Sequence, residues 1–138
     1  MRTIKFRAWD KRLKAMIKVT HDYQLHVRDI YWEIIDLKIG CKVLDNWRDN
    51  ENGNVLMQYT GIKDKNGKEI YEGDVVRFKY WDNDIPQDAT NWGVVAYRNE
   101  MACFYLTQNV CIMLAKQREM EIIGNIYEHS HLLSGGQQ

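Results

Sequence analysis

From Thr3 to Trp9 the chain alternates. Ile4, Phe6 and Ala8 point one way, and Lys5, Arg7 and Trp9 point the other. A period of two is the mark of a β-strand. Asp10–Lys14 is a short polar connection, and Ala15–Thr20 resumes the apolar pattern, so the chain opens with a predicted β-hairpin. Tyr23–Val27 reads as a further short strand. Ile30–Leu37 is rich in Ile, Tyr and Trp, which favours strand, although Trp32–Leu37 also suits a helical turn. Gly40 interrupts, Val43-Leu44 resumes, and Asp45–Asn54 is a polar loop.

The second half is punctuated more clearly. Val55–Tyr59 is a strand that Thr60-Gly61 is expected to end. Asn66-Gly67, within Asp64–Lys68, is the signal of a type I′ turn with positive φ at both residues. Glu69–Tyr71 runs back, and Glu72-Gly73-Asp74 redirects the chain into Val75–Trp81. There Val76, Phe78 and Tyr80 share one face, and Arg77, Lys79 and Trp81 share the other. Asp82–Asn91 is an acidic loop holding the single proline, Pro86. Trp92–Tyr97, a tight turn at Arg98–Glu100, Met101–Thr107, Val110–Ala115 and Met120–Tyr127 complete the strand runs, before a tail from Glu128 that frays. Strands at a spacing of about 8–12 residues are the pattern of small barrels. The fold class expected is mainly β, with an N-terminal β elaboration over 1–54 and a barrel with a C-terminal tail over 55–138.

Composition narrows the picture. The 138 residues are 45% hydrophobic, enough for a core, and the net charge is +0. The whole chain therefore lacks the basic footprint of a nucleic-acid binder. The charge is uneven: residues 1–30 carry eight Lys/Arg against three Asp/Glu, and the remainder is acidic to the same extent. Such a basic stretch reads first as a solvated strand surface. Cys41, Cys103 and Cys111 are odd in number and form no C-x-x-C pair, which supports neither a disulfide framework nor a cysteine zinc site. Cys103 and Cys111 sit in apolar runs and are expected to be buried. This usage fits a reducing cytoplasm. The N-terminus lacks the apolar stretch of a signal peptide, and no run of about 18 apolar residues suggests a membrane span.

Four segments together resemble the YopX family, small proteins found mainly in phages and prophages. They are Ile4–Asp10, Met57–Gly61, Asp64–Asp74 and Ile122–Glu128, in the family's order and framing the whole chain. Val19–Asn54 carries no part of the resemblance. The resemblance implies an SH3-like β-barrel in the C-terminal half, with the N-terminal β-hairpin and strands packed on it, and it points to a homo-oligomer. It brings no established activity and no catalytic residue.

Candidate chemistry is sparse. Glu72 and Asp74 flank a turn glycine instead of forming a carboxylate cluster for a metal, and Asp74 is expected to cap its turn on a backbone N–H two residues on. Asp64–Gly67 fails the EF-hand pattern, because Glu69 stands where that loop needs Gly and Val75 where it needs Glu. His129 and His131 read as surface histidines, and His21 and His26 are isolated. No cofactor, metal ligand or catalytic residue is assigned, and the chain reads as a non-enzyme. The binding candidates are Arg77, Lys79, Trp81, Trp92 and Arg98, a set of aromatic and basic residues expected on one β surface. Such a surface suits packing or oligomer contacts first, then a host or phage protein or an extended peptide. It also has the composition of a stacking platform for single-stranded nucleic acid, but Asp82, Asp84 and Asp88 oppose phosphate affinity. The expectation is an oligomeric protein-binding module, with a nucleic-acid-binding regulator as the alternative.

Overall fold

The structure is a computed structural model, and it describes residues 3–28, 31–46, 54–79, 89–108 and 112–129. Among these residues there are twelve strands and one 3₁₀ turn. The protein is mainly β. The chain divides into two compact units, Ile4–Gln58 and the chain from Tyr59 onward, the latter joined by Thr3.

In the first unit, β1 (Phe6–Asp10) and β2 (Ala15–Lys18) form the expected hairpin, with Asp10 paired to Ala15. The intervening four-residue loop is held by the Asp10 side chain. Its Oδ1 accepts the N–H groups of Arg12 and Leu13 at 3.0 and 3.1 Å. Lys14 closes the loop at φ 52°, in the left-handed region. On its other edge β1 pairs with Val55–Gln58, which open β6 (Val55–Lys63).

The stretch left ambiguous between strand and helical turn is a β-meander. β3 (Tyr23–Arg28), β4 (Tyr31–Asp36) and β5 (Cys41–Asp45) pair antiparallel in that order. Trp32 and Ile34 alternate inward, and they pack with Ala8 and Leu44 into one core. Asp36 Oδ1 accepts from the Lys38 and Ile39 N–H groups and starts the β4–β5 turn, which Gly40 finishes at φ 73°. Strand wins over helix because period-two burial satisfies both Trp32 and Ile34, and β4 pairs along its length with β3 and β5, while the Trp32 N–H and C=O bond Asn46 just past β5.

In the second unit, β6 does not end at Thr60-Gly61. It continues to Lys63 through a bulge, in which Tyr59 pairs with Tyr71 and Lys63 with Glu69 on β7 (Glu69–Tyr71). Gly61 supplies φ 87° within the bulge. Thr60 Oγ1 donates to the Ile70 carbonyl at 2.8 Å and accepts from the Ile62 N–H at 3.1 Å. The next turn is not type I′. Gly67 has φ 84° but Asn66 keeps negative φ, the Gly67 N–H donates to the Asp64 carbonyl, and the Asp64 N–H donates to the Lys68 carbonyl. That is a three-residue hairpin with glycine at the left-handed position. The Asp64 carboxylate selects it by accepting from the Asn66 and Lys68 N–H groups, each at 2.9 Å.

A five-stranded antiparallel sheet follows. β8 (Asp74–Lys79) sits between β12 (Arg118–Asn125) and β9 (Thr90–Arg98). Beyond β9 lie β10 (Cys103–Thr107) and the two-residue β11 (Ile112–Met113), and Leu114–Lys116 forms the 3₁₀ turn. Val76, Phe78, Val95, Leu106 and Met120 face one core with Ile70 and Leu114. Gly73, at φ 86°, is pinned from both sides, its N–H on the Val95 carbonyl and its C=O under the Ile126 N–H. Asp74 does cap this bend, but backwards. Its Oδ2 accepts from the Tyr71 N–H, three residues earlier, at 2.8 Å, because the carboxylate lies inside the turn that it closes.

Candidate functional site

The register of the five-stranded sheet decides which side chains share a surface. Residues directly opposite on antiparallel strands lie on the same face. Arg77 pairs with Glu121 on one side and Trp92 on the other, and Lys79 pairs with Thr90. Along β9 the same face continues through Val94 and Ala96 to Arg98, and on β10 it takes Cys103, Tyr105 and Thr107. The opposite face carries Val76, Phe78, Val95 and Leu106, all in the core. Arg77, Lys79, Trp92 and Arg98 thus lie together on the face opposite that core, where Val94 and its partner Val75 are nonetheless buried between them. Trp81 lies outside the described residues.

Tyr105 belongs to this surface and was not expected there. The Arg98 guanidinium lies over its ring, 5.1 Å from the centroid. Tyr105 pairs with Ala96 and Met113, which extends the aromatic strip from Trp92 across β10 to β11. The β9–β10 loop length is what hid it. A three-residue turn at 98–100 opposes Trp92 with Leu106, whereas the actual loop is Asn99–Ala102, closed by the Arg98–Cys103 pair. One residue of difference flips the face of the whole strand. Ala102 takes φ 51° to close that loop, just as Lys14 does in the β1–β2 loop. The same register brings Cys103 onto this face, where it is half-buried, not a core residue.

The cations on this face are already paired. Arg77 Nη2 meets Glu121 Oε1, Lys79 Nζ is 3.2 Å from Glu119 and Arg98 Nε is 3.7 Å from Glu100. Lys65 adds a second, longer contact to Glu121 at 3.9 Å. The hydrogen bond from Arg77, joined by the Lys65 charge, holds the Glu121 carboxyl below its ordinary range. The surface therefore presents Trp92 and Tyr105 within a frame of compensated charge.

Two other polar clusters have structural work. Asp64 is buried, and its Oδ2 accepts from the Ile122 N–H at 3.1 Å, fastening the β6–β7 turn to β12 across 58 residues of sequence. The Lys65 N–H donates to the Met120 carbonyl at 2.8 Å beside it. Burial opposes the charged form of Asp64, but the backbone donors at Ile122, Lys68 and Asn66 outweigh it and keep the carboxyl below its ordinary value. In the first unit a cavity of about 480 Å³ is lined by Asp10, Arg12, Lys42, Leu44, Asp45 and Asn54, among others. Its polar groups answer one another: Lys42 bonds Asp45 at 2.6 Å, and Asn54 bridges the Lys11 N–H and the Asp45 carbonyl.

Among the described residues no group of three His, Cys, Asp or Glu side chains is placed to hold a metal, and no helix is long and apolar enough to cross a membrane. His129 Nδ1 accepts from the Asn125 N–H at 3.1 Å, inside the turn that ends β12, and His131 lies outside the described residues.

Comparison with curated proteins finds no match. Among solved structures the chain is similar to that titled "Crystal structure of protein EF1440 from Enterococcus faecalis". Identity is 26%, the match covers 96% of this chain and 99% of that one, and the TM-score is 0.59. The family model described as "YopX protein" matches residues 5–134, nearly the whole length. By that match, the chain belongs to the YopX family.

Proposed function

We propose that this protein is a non-enzymatic binding module of phage or prophage origin. It works as a homo-oligomer in the bacterial cytoplasm and contacts a host or phage protein through the non-core face of its five-stranded sheet. The observation that carries this reading is the pairing pattern on that face. Trp92 and Tyr105 supply amphipathic contact area, of the kind enriched in protein interfaces. Arg77, Lys79 and Arg98 are each matched by a carboxylate. Paired cations add little to phosphate affinity, because each must first give up its carboxylate. The balance favours a protein or an extended peptide over a nucleic acid. We further propose that the second unit is an SH3-like barrel. Support comes from the sharp turn at Gly73, the bulges of β6 and β12, and the placement of β12 beside β8.

Two assays on the same protein separate the readings. A protein-binding face predicts no salt-dependent mobility shift with short oligonucleotides, and specific capture of a protein from bacterial extract that Trp92→Thr abolishes. A shift at low salt that Arg77→Ala and Lys79→Ala weaken would favour the nucleic-acid reading instead.

A further inference from the structure

The sheet edges differ in how they are protected. Open edges invite pairing with another strand, and short length, lysine, proline, bulges or a covering segment discourage it. β2 has four residues and ends in Lys18, β7 has three residues, and β11 has two. β5 is bulged at Val43 and carries Lys42. β12 is long, but the Asp64 turn covers it through the Ile122 N–H and the Met120 carbonyl. Among the described residues β3 has none of these devices. It has six residues, Tyr-Gln-Leu-His-Val-Arg, with no lysine, proline or bulge, and it lies at the end of the β3-β4-β5 order.

The hydrogen-bond phase of β3 is determined. The Leu37 N–H donates to the Asp22 carbonyl at 2.9 Å, so Asp22 points toward the β4 side. Alternation then turns Gln24, His26 and Arg28 toward β4 and leaves the backbone groups of Leu25 and Val27 along the free edge. Tyr23 points to that edge too, but its N–H already donates to the Thr20 carbonyl. Val27 is 60% exposed, although its cross-strand partner is the buried Trp32, so it sits at the uncovered margin of the apolar face.

We propose that β3 is a self-association edge, on which two copies of this chain pair antiparallel about a two-fold axis at His26. Two registers keep the apolar faces of both copies on the same side. In one, Leu25 opposes Leu25 and Tyr23 opposes Val27 twice, and the occupied Tyr23 N–H of each copy leaves about four of six backbone hydrogen bonds. In the other, Leu25 opposes Val27 twice, and about four backbone hydrogen bonds form. The second register also covers Val27 with Leu25 of the second copy and sets Gln24 against Arg28, with no like charges opposed there. His26 meets its counterpart at the axis, with each Nδ1 3.2 Å from the Glu33 carboxylate of its own chain. This complementarity of the strand with itself selects a second copy over an unrelated strand as the occupant. The β3 pairing rests on the proposed function and locates its oligomer contact on residues of the first unit, none of which belongs to the Trp92 face of the second.

Light scattering on the purified full chain at tens of micromolar tests it without any other partner. The wild type should show twice the 16.4 kDa chain mass or a multiple of it. Val27→Pro removes only an outward N–H and Val27→Lys guards the edge, so each should halve that mass with unchanged circular dichroism. His26→Cys places two thiols across the axis in a non-hydrogen-bonded pair, whose Cα separation of about 4.5 Å suits a disulfide. It should give a covalent dimer on oxidation that the wild type does not. A wild type at the mass of a single chain, or an oligomer that both Val27 variants retain, would overturn the proposal. Loss of extract capture with self-association intact would count against the Trp92 face alone.

Discussion

Asp64 has more structural consequence than any other single side chain in the second unit. Three backbone donors converge on it, two from its own turn and one from β12. Replacing it with alanine strands those donors in a buried site, and a loss of about 2–4 kcal/mol is expected in denaturant unfolding. The carboxyl is held below its ordinary value of 3.8, so the folded state binds this proton less readily than the unfolded chain. Its contribution is therefore complete above the unfolded value and lost as pH falls through the folded value. Asp64→Asn should flatten the acid limb of the stability curve, and an unchanged limb in thermal melts would contradict the assignment. A second expectation has the opposite sign. Ala102 pays for a left-handed conformation at φ 51°. Ala102→Gly should raise stability by about 0.5–1 kcal/mol, with relief of the backbone strain exceeding glycine's extra unfolded-state entropy. A lower midpoint in urea would refute it.

At the scale of elements, period-two patterning made most strands legible. The alternation of Val76, Arg77, Phe78 and Lys79 is reproduced in their burial. Asp10 and Asp64 fall in stretches that read as turns because the N–H groups they accept from are local, whereas Asp36 lay inside a run that read as strand or helical turn. What could not be read was anything set by partners distant in sequence. The bond from Ile122 to Asp64 leaves no local trace, and the four-residue β9–β10 loop, which places Tyr105 beside Arg98, carries no glycine to mark it. In β4, Ile35 is apolar yet on the opposite face from Ile34, which blurs the period and made a helical turn plausible. Gly73 is the element-scale weak point. Its φ of 86° and its two backbone bonds join the turn to β9 and to the end of β12. Gly73→Ala is expected to cost about 1–2 kcal/mol from the conformation alone, and a melting temperature unchanged from wild type would show that the bend tolerates a Cβ.

For the molecule as a whole, the YopX family match spans residues 5–134, which take in nearly all of the segments Ile4–Asp10, Met57–Gly61, Asp64–Asp74 and Ile122–Glu128. Each of those segments resolves into turns and strand pairings, so the conspicuous residues serve conformation. The proposed function rests instead on two surfaces outside those segments, the Trp92–Tyr105 face and the β3 edge. The candidate face was partly legible, because Arg77, Lys79, Trp92 and Arg98 follow from alternation along two strands, whereas the pairing of Arg77 and Lys79 with Glu121 and Glu119 on β12 needs the three-dimensional register. The most direct measurement is quantitative capture from bacterial extract with four baits: wild type, Trp92→Thr, Tyr105→Thr and Val27→Lys, each checked for unchanged melting. A protein-binding face predicts a species that wild type and Val27→Lys retain and that both aromatic variants lose at least tenfold, about 1.4 kcal/mol. Equal capture by all four baits would contradict it.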